Sequence, residues 1–392
     1  MPQVSFKTKL KPNNKQATLL AKHAGTARHA WNWGLSLCLT ALDNKEKLPT
    51  AIDLHQRLLA EVKSVNPWYD EVSPCSPQQA LRHLATALQR WLVSKVSQKP
   101  TFKKKGNKDS FYLEGGIKIS GNRINLPRIG WITCHEIPPS VTVKNVTISK
   151  LAQDWYISFS YEKDIQTTAK IRDRIGVDVG INRLSTCSDG TEVENVKAYQ
   201  KAKGRLVRLQ RTLSRKVKGS SNRQKASNRL AKQDRRVANV RADALHKLTT
   251  WLAKNHSTIV IEDLHGSGRH KNHRLASAIA DCGCYEFKRQ LLYKASWYGA
   301  EVIVASRFYP FSQLCSEYSH QQQMPLHIRT FSGSCCGMKK DQDFNASVNL
   351  ENYTPAVSST VVACGDSKVT ASGQCESMKQ EADLNLGISK IV

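Results

Sequence analysis

Three acidic positions, far apart in the chain, have neighbours suited to phosphodiester chemistry. Asp178 stands in Ile175-Gly-Val-Asp-Val-Gly-Ile181. Read as a strand, this stretch puts Ile175, Val177, Val179 and Ile181 on one face and Gly176, Asp178 and Gly180 on the other. The glycines leave a bare strip beside the carboxylate, with room for a metal ion and a phosphodiester. An aspartate at a strand end also caps neighbouring elements, and the heptapeptide alone leaves both readings open. Glu262 and Asp263 end the run Ser257-Thr-Ile-Val-Ile-Glu-Asp-Leu264, whose β-branched residues predict a buried central strand. Acids there are costly unless paired or bound to cations, although Asp263 is also placed to cap the loop Gly266-Ser-Gly268. Asp341-Gln-Asp343-Phe-Asn-Ala-Ser-Val-Asn-Leu350 predicts a helix start, with one of its first two aspartates as the cap. Asp178, Glu262 and Asp343 would together make one acidic pocket. Two divalent ions about 4 Å apart, held by such carboxylates, activate water and stabilise the leaving oxygen in phosphodiester hydrolysis. Hard oxygen ligands favour Mg2+ or Mn2+ over zinc there.

The rest of the chain must position these acids and explain its charge. Among 392 residues, 59 Lys and Arg face 32 Asp and Glu, a formal net charge of +27. That imbalance argues for a polyanionic partner. No run is long enough to span a bilayer, so nucleic acid is expected and membrane is not. The start, Met1-Pro-Gln-Val-Ser-Phe-Lys7, lacks the apolar region of a secretory signal, which predicts a cytoplasmic, nucleoid-associated protein. Eleven cysteines, scattered from Cys38 to Cys375, suggest no disulfide framework in a chain of this length.

Val4 to Leu10 alternates apolar and basic residues and predicts a short strand. Apolar spacing then predicts helices from Asn14 to Leu42, Ile52 to Val62 and Pro77 to Val96, after which strand-like sequence resumes, so the helices look like an insertion. Lys99-Pro-Thr-Phe-Lys103-Lys104-Lys105-Gly106 is a basic loop. From Phe111 to Tyr161, alternation predicts strands at Ile117–Ile119, Arg123–Leu126, Val141–Val143, Val146–Ile148 and Trp155–Tyr161, a small barrel or sandwich. After Asp178, Leu184–Ser188 and Thr191–Val193 flank Asp189-Gly190 as a hairpin, a feature of ribonuclease H-like folds. Leu206, Leu209, Leu213 and Val217, and then Leu230 to Leu252, predict two helices joined at Gly219–Asn222 as an antiparallel hairpin. Its exposed faces carry Arg208, Arg211, Arg215, Lys216, Arg223, Arg229, Arg235 and Arg236, which repel one another unless phosphates neutralise them. A helix from Leu275 to Tyr298 and a strand from Glu301 to Ala305 follow. From 355 to 392 no period is sustained, which predicts a disordered tail.

These motifs, in this order, resemble the TnpB (OrfB) family of transposon-encoded, RNA-guided DNA endonucleases with a split RuvC-type nuclease domain, related to type V CRISPR effectors. The resemblance rests on Pro100-Thr-Phe-Lys-Lys-Lys-Gly106 with Asp109-Ser-Phe111, Gly176-Val-Asp-Val-Gly180, Leu209-Gln-Arg-Thr-Leu-Ser-Arg-Lys216, Ile259-Val-Ile-Glu-Asp-Leu264, Tyr298-Gly299 and Asp341-Gln-Asp-Phe-Asn-Ala346. It implies that Asp178, Glu262 and Asp343 are the catalytic, Mg2+-binding carboxylates, with Asp341 as the alternative third member, and that the partners are a guide RNA from the element end and double-stranded target DNA. The fold class implied is α+β multidomain: a small β-barrel (wedge) domain with a helical insertion, then a ribonuclease H-like (RuvC) α/β domain with a degenerate zinc ribbon. In residue numbers, 1–13 and 99–165 are the barrel, 14–98 the helical recognition insertion, and 166–310 the nuclease domain with its basic hairpin at 198–252. The ribbon is 311–338, the last nuclease segment 339–354, and the tail 355–392. Relatives carry two Cys-x-x-Cys pairs in the ribbon. Here Cys315 and Cys336 keep expected ligand positions, but Tyr318 and Gly333 stand where the other two cysteines fall. Four ligands are needed for structural zinc, so a Zn2+ site here is two cysteines short, with His320, His327 and Cys335 as irregular substitutes. Loss of the ribbon would loosen the segment that delivers Asp343. Two other readings stand beside the nuclease: a nucleic-acid-binding regulator that does not cut, and a transposase proper that joins DNA ends.

Overall fold

Alternation from Val4 to Leu10 makes strand β1 (Gln3–Lys11), the centre of a sheet in this computed structural model. The structure describes residues 2–94, 97–106, 109–165, 167–263, 276–325, 328–334 and 337–354. The expected tail falls outside that set. The chain divides into two units, one of residues 1–173, 193–257 and 266–301, the other of 174–192, 258–265 and 302–392.

In the first unit, β2 (Ser110–Glu114), β3 (Lys118–Ser120), β4 (Arg123–Leu126), β5 (Gly130–Cys134), β6 (Asn145–Leu151) and β7 (Asp154–Glu162) join β1 in the order β2-β6-β7-β1-β5-β4-β3. Neighbouring strands in this sheet run antiparallel, with β1 holding β7 on one side and β5 on the other. Three sequence expectations change here, the first being β2, which lies outside the expected strands. Val141–Val143 is not a strand: Pro138-Pro139 removes two backbone donors, and the chain turns as Val141 N–H donates to the Pro139 carbonyl. Gly130–Cys134 is an added strand, begun by Gly130 at φ +82° and alternating exposed Trp131 with buried Ile132.

Between β1 and β2 run α1 (Asn14–Asp43), α2 (Ala51–Arg57), a π-turn (Leu58–Lys63), a 3-10 turn (Pro67–Glu71) and α3 (Cys75–Val93). Asn13 and Gln16 form a capping box that starts α1. The apolar stripe of α1 packs with Leu81 and Leu84 of α3 and with the sheet's buried side in one core.

The basic hairpin is α4 (Ala198–Ser214) and α5 (Ser221–Asn255), with Ser220 capping α5 after Gly219 at φ +86°. Helix α4 stops three residues before Val217, which is 76% exposed rather than on the stripe. The expected helix from 275 to 298 is two, α6 (Ala276–Cys282) and α7 (Cys284–Tyr298), because Gly283 takes φ +67° between them. Lys294 of α7 is 4% exposed and donates to the His246 carbonyl and to the Thr249 and Thr250 hydroxyls of α5, each at 2.8 Å.

The second unit is built on the sheet β10-β9-β8-β11-β12, formed by β8 (Arg172–Asp178), β9 (Arg183–Cys187), β10 (Glu192–Glu194), β11 (His256–Glu262) and β12 (Glu301–Ala305). The expected hairpin is present, with Gly190 at φ +85° in its turn. After a second hairpin, β13 (Thr330–Ser332) and β14 (Lys339–Asp341), the described chain ends in α8 (Gln342–Glu351). Among the described residues, no helix is long and apolar enough to cross a membrane.

Candidate active site

The fold brings Asp178 and Glu262 to one end of one sheet. Strands β8 and β11 are neighbours of seven residues each. Their starts meet, since Ile171 N–H donates to the Asn255 carbonyl at 2.8 Å. They therefore run in the same direction and finish together, at Asp178 and at Glu262. The strand ends at Asp178, so Val179 to Ile181 lie beyond it rather than on the wall the alternation predicts.

Helix α8 supplies the third acid through Gly176, and here the structure corrects the expected reason for the glycine. The strip is not bare. A Cβ at Gly176 would overlap the Ser347 carbonyl oxygen and the Glu351 backbone nitrogen, so the missing side chain lets α8 lie directly on β8. Arg174 donates to the carbonyls of Glu351 and Tyr353. With Arg174 opposite 351–353 and Gly176 opposite 347–351, helix and strand run in opposite directions. Moving two residues along β8 covers about 6.6 Å, and one turn back along α8 about 6 Å, which leads from Gly176 to Asp178 and from Ser347 to Asp343.

The two aspartates of Asp341-Gln-Asp343 divide their work. Asp341 is the N-cap: its Oδ1 accepts from the backbone N–H of Asp343 at 3.0 Å and of Phe344 at 3.2 Å. Asp343 is left to point elsewhere, with its side chain 22% exposed and Arg329 at 3.5 Å. Burial, and then the neighbouring Asp341, push its carboxyl above the usual range, against the pull of Arg329 and Arg183. Arg183 itself pairs with Glu192 at 3.0 Å and with Asp341 at 3.2 Å. Sequence reading missed both arginines, because nothing in their own neighbourhoods marks them and only the fold brings them to the acids. Asp263 donates its backbone N–H to the Ala305 carbonyl at 3.1 Å, and the loop it was expected to cap lies outside the described residues.

As donors, the three carboxylates suit a hard divalent cation such as Mg2+ or Mn2+. Among the described residues, no three His, Cys, Asp or Glu side chains stand close enough together to enclose an ion. The match is thus in ligand chemistry and in the shared end of the sheet, with the side chains not drawn in around a centre.

The basic residues fall into two groups. Arg208, Arg211 and Arg215, with Gln200, Lys203 and Thr212, line an open groove of about 740 Å³ along α4, and Lys104, Lys105, Lys216, Arg229 and Arg236 are also exposed. Others are engaged within the protein. Arg235 stacks 3.9 Å from the Tyr156 ring centroid and donates to the Leu151 carbonyl at 3.0 Å, tying α5 to the seven-stranded sheet. Arg223 donates to the carbonyls of Leu213 and Lys216, closing the end of α4. The Lys103 ammonium lies 3.8 Å from the Trp31 ring centroid, while the Asn32 amide bonds both the N–H and the carbonyl of Lys103. With the Arg28–Asp109 ion pair at 2.8 Å, these contacts clamp the basic loop to α1 and leave Lys104 and Lys105 outward.

In the ribbon segment, Cys315 is buried and Tyr318 is 70% exposed. Cys335, Cys336 and His327 lie outside the described residues.

Comparison with known proteins bears on the whole chain. A protein of Escherichia coli (strain K12) named "Putative RNA-guided DNA endonuclease InsQ" is 34% identical over 384 residues, covering 92% of this chain and 94% of its own length. The chain belongs to the TnpB (OrfB) family. A relative of the same description from Streptomyces pristinaespiralis is 32% identical over 92% of this chain and 91% of its own. Family profiles match at residues 157–272 (OrfB_IS605, probable transposase), 285–350 (Cas12f1-like, TNB domain) and 1–47 (helix-turn-helix domain of the same group). Over that last span, this TnpB protein has a strand and a single long helix. A solved Cas12f1-sgRNA-target DNA complex shares the fold at TM-score 0.52 and 12% identity, over 88% of this chain and 84% of that one.

Proposed function

We propose that this TnpB protein, encoded by an insertion sequence, is an RNA-guided, divalent-metal-dependent DNA endonuclease of RuvC type. What supports the reading is that neighbouring strands end at Asp178 and at Glu262, while the helix that carries Asp343 packs on the first of them at Gly176, in a chain of net charge +27. Asp178, Glu262 and Asp343 would hold Mg2+ or Mn2+. Bound there, the ions would supply activation of the attacking water and stabilisation of the leaving oxygen.

The chain's own residues do the rest. Asp341 fixes the start of α8 and so the position of Asp343, and Gly176 sets how closely α8 approaches β8. Arg329 and Arg183 hold the Asp343 carboxyl toward its ionised form, against its burial. Exposed arginines of the α4–α5 hairpin, with Lys104 and Lys105, hold guide RNA and double-stranded DNA by their phosphates, while pairing with the guide reads sequence. The seven-stranded sheet corresponds to the barrel-like wedge domain, and the smaller one to the ribonuclease H-like core.

A regulator that binds without cutting is the second reading, favoured by Tyr318 and Gly333 at ribbon ligand positions. One experiment separates the two: the RNA that copurifies is sequenced, and the complex is given Mg2+ and duplex DNA matching that RNA. Cutting confined to the matching duplex and abolished by EDTA is expected. Steeply salt-dependent RNA binding with no cutting would overturn the nuclease reading, and joined DNA ends would indicate a transposase.

A further inference from the structure

We propose that the described residues of this protein's ribbon segment, 311–338, are held by a clasp of side-chain amides in place of a zinc ion. Zinc in a ribbon fastens two turns to each other, and four donors are required. Here Gly333 has no donor and Tyr318 is 70% exposed, so half of the ribbon's ligand positions are lost. The joins that zinc would make are present by other means. Gln322, on the first arm, reaches across to the second hairpin as a backbone would: its Nε2 donates to the Ser332 carbonyl at 2.7 Å and its Oε1 accepts from Ser334 N–H at 2.9 Å. The turn after Gly333 closes on itself, with Gly333 N–H on the Met338 carbonyl at 2.8 Å and Gly337 N–H on the Gly333 carbonyl at 2.9 Å.

The clasp continues onto the helix that carries Asp343. Asn345 and Asn349 are one turn apart on α8, 0% and 8% exposed. Asn345 Nδ2 donates to the Leu314 carbonyl at 2.7 Å and its Oδ1 accepts from Ser316 N–H at 3.0 Å. Asn349 Nδ2 donates to the carbonyls of Phe311 at 2.9 Å and Leu314 at 2.8 Å. Asn345, buried and bonded through both ends of its amide, fixes one arrangement, because any slip leaves a carbonyl or an N–H unpaired. Phe331, fully buried, fills the space beneath the second hairpin. Phe311, Leu314 and Ser316 are therefore fastened to α8 without metal, contrary to the loosening that the missing cysteines suggest. That this matters for cutting rests on the function proposed above, whereas the clasp itself does not.

The test uses the full chain purified from zinc-supplemented medium, with zinc measured by mass spectrometry and trypsin cleavage followed at Arg329, with and without 1,10-phenanthroline. Zinc far below one per chain and a cleavage rate unmoved by the chelator are expected. Gln322→Ala and Asn345→Ala should each speed cleavage at Arg329 about tenfold, the equivalent of one good hydrogen bond removed from local stability. Stoichiometric zinc, removed by Cys315→Ser and with chelator-sensitive proteolysis, would overturn the proposal. So would a zinc-free protein whose two amide variants are cut no faster than wild type. Neither readout uses DNA cleavage, so failure of the clasp and failure of the nuclease reading are distinguishable.

Discussion

At Asp341 and Asp343, two identical side chains two residues apart hold different positions, and substitution should separate them. Asp341→Asn keeps an oxygen for the N–H groups of Asp343 and Phe344, so DNA cleavage is expected within about threefold of wild type, while Asp341→Ala should cost about 1 kcal/mol of stability, read by denaturant titration. On the function proposed above, Asp343→Asn removes a metal ligand worth several kcal/mol of charge stabilisation and should lower the cleavage rate about 10³-fold or more, with guide RNA binding retained. The sequence signalled that one member of the pair would be a cap, but not which one. That choice depends on backbone geometry at the helix start. The same limit hid Arg329, which stands 3.5 Å from Asp343 but 14 residues before it.

Elements are positioned by close approach, and Gly176 is where this matters most. Gly176→Ala puts a methyl group into the backbone of α8. Helix α8 must shift, at a cost of about 3 kcal/mol, and cleavage should fall with it. Equal stability and full activity of that variant would show that α8 does not lie on β8. Between α5 and α7, burial pushes the Lys294 ammonium down to about 8 from its usual 10.5. Between those pH values the unfolded chain binds the proton and the folded chain does not, so this group's contribution to stability rises with pH across the window. Wild type should therefore gain stability relative to Lys294→Met between pH 7.5 and pH 10, compared by urea midpoints. Periodicity foretold most of these elements, α1 to within a residue. It failed where a local backbone feature took over: Pro138-Pro139 removed a strand, Gly283 split a helix, and a turn at positive φ opened β5 in sequence with little apolar run.

Over the whole molecule, a net charge of +27 suits a polyanionic partner, and the function proposed above puts the chemistry at the sheet end. Replacing Arg208, Arg211 and Arg215 together by alanine should reduce the slope of log binding constant against log salt by about 2 to 3, close to one for each phosphate no longer neutralised. Arg235→Ala should leave that slope unchanged and lower stability instead, since its guanidinium is engaged by Tyr156 and Leu151. Composition made the partner class legible, and motif order made the family legible, because both are properties of the chain itself. Which arginines are free was not legible, since exposure depends on how α5 meets the sheet. The most direct measurement of the central claim is the number of Mn2+ ions bound by the protein with its RNA and DNA, counted by electron paramagnetic resonance. About two per wild-type complex are predicted, with weakened or lost binding in each of Asp178→Ala, Glu262→Ala and Asp343→Ala. Undiminished Mn2+ binding in all three variants would contradict the account.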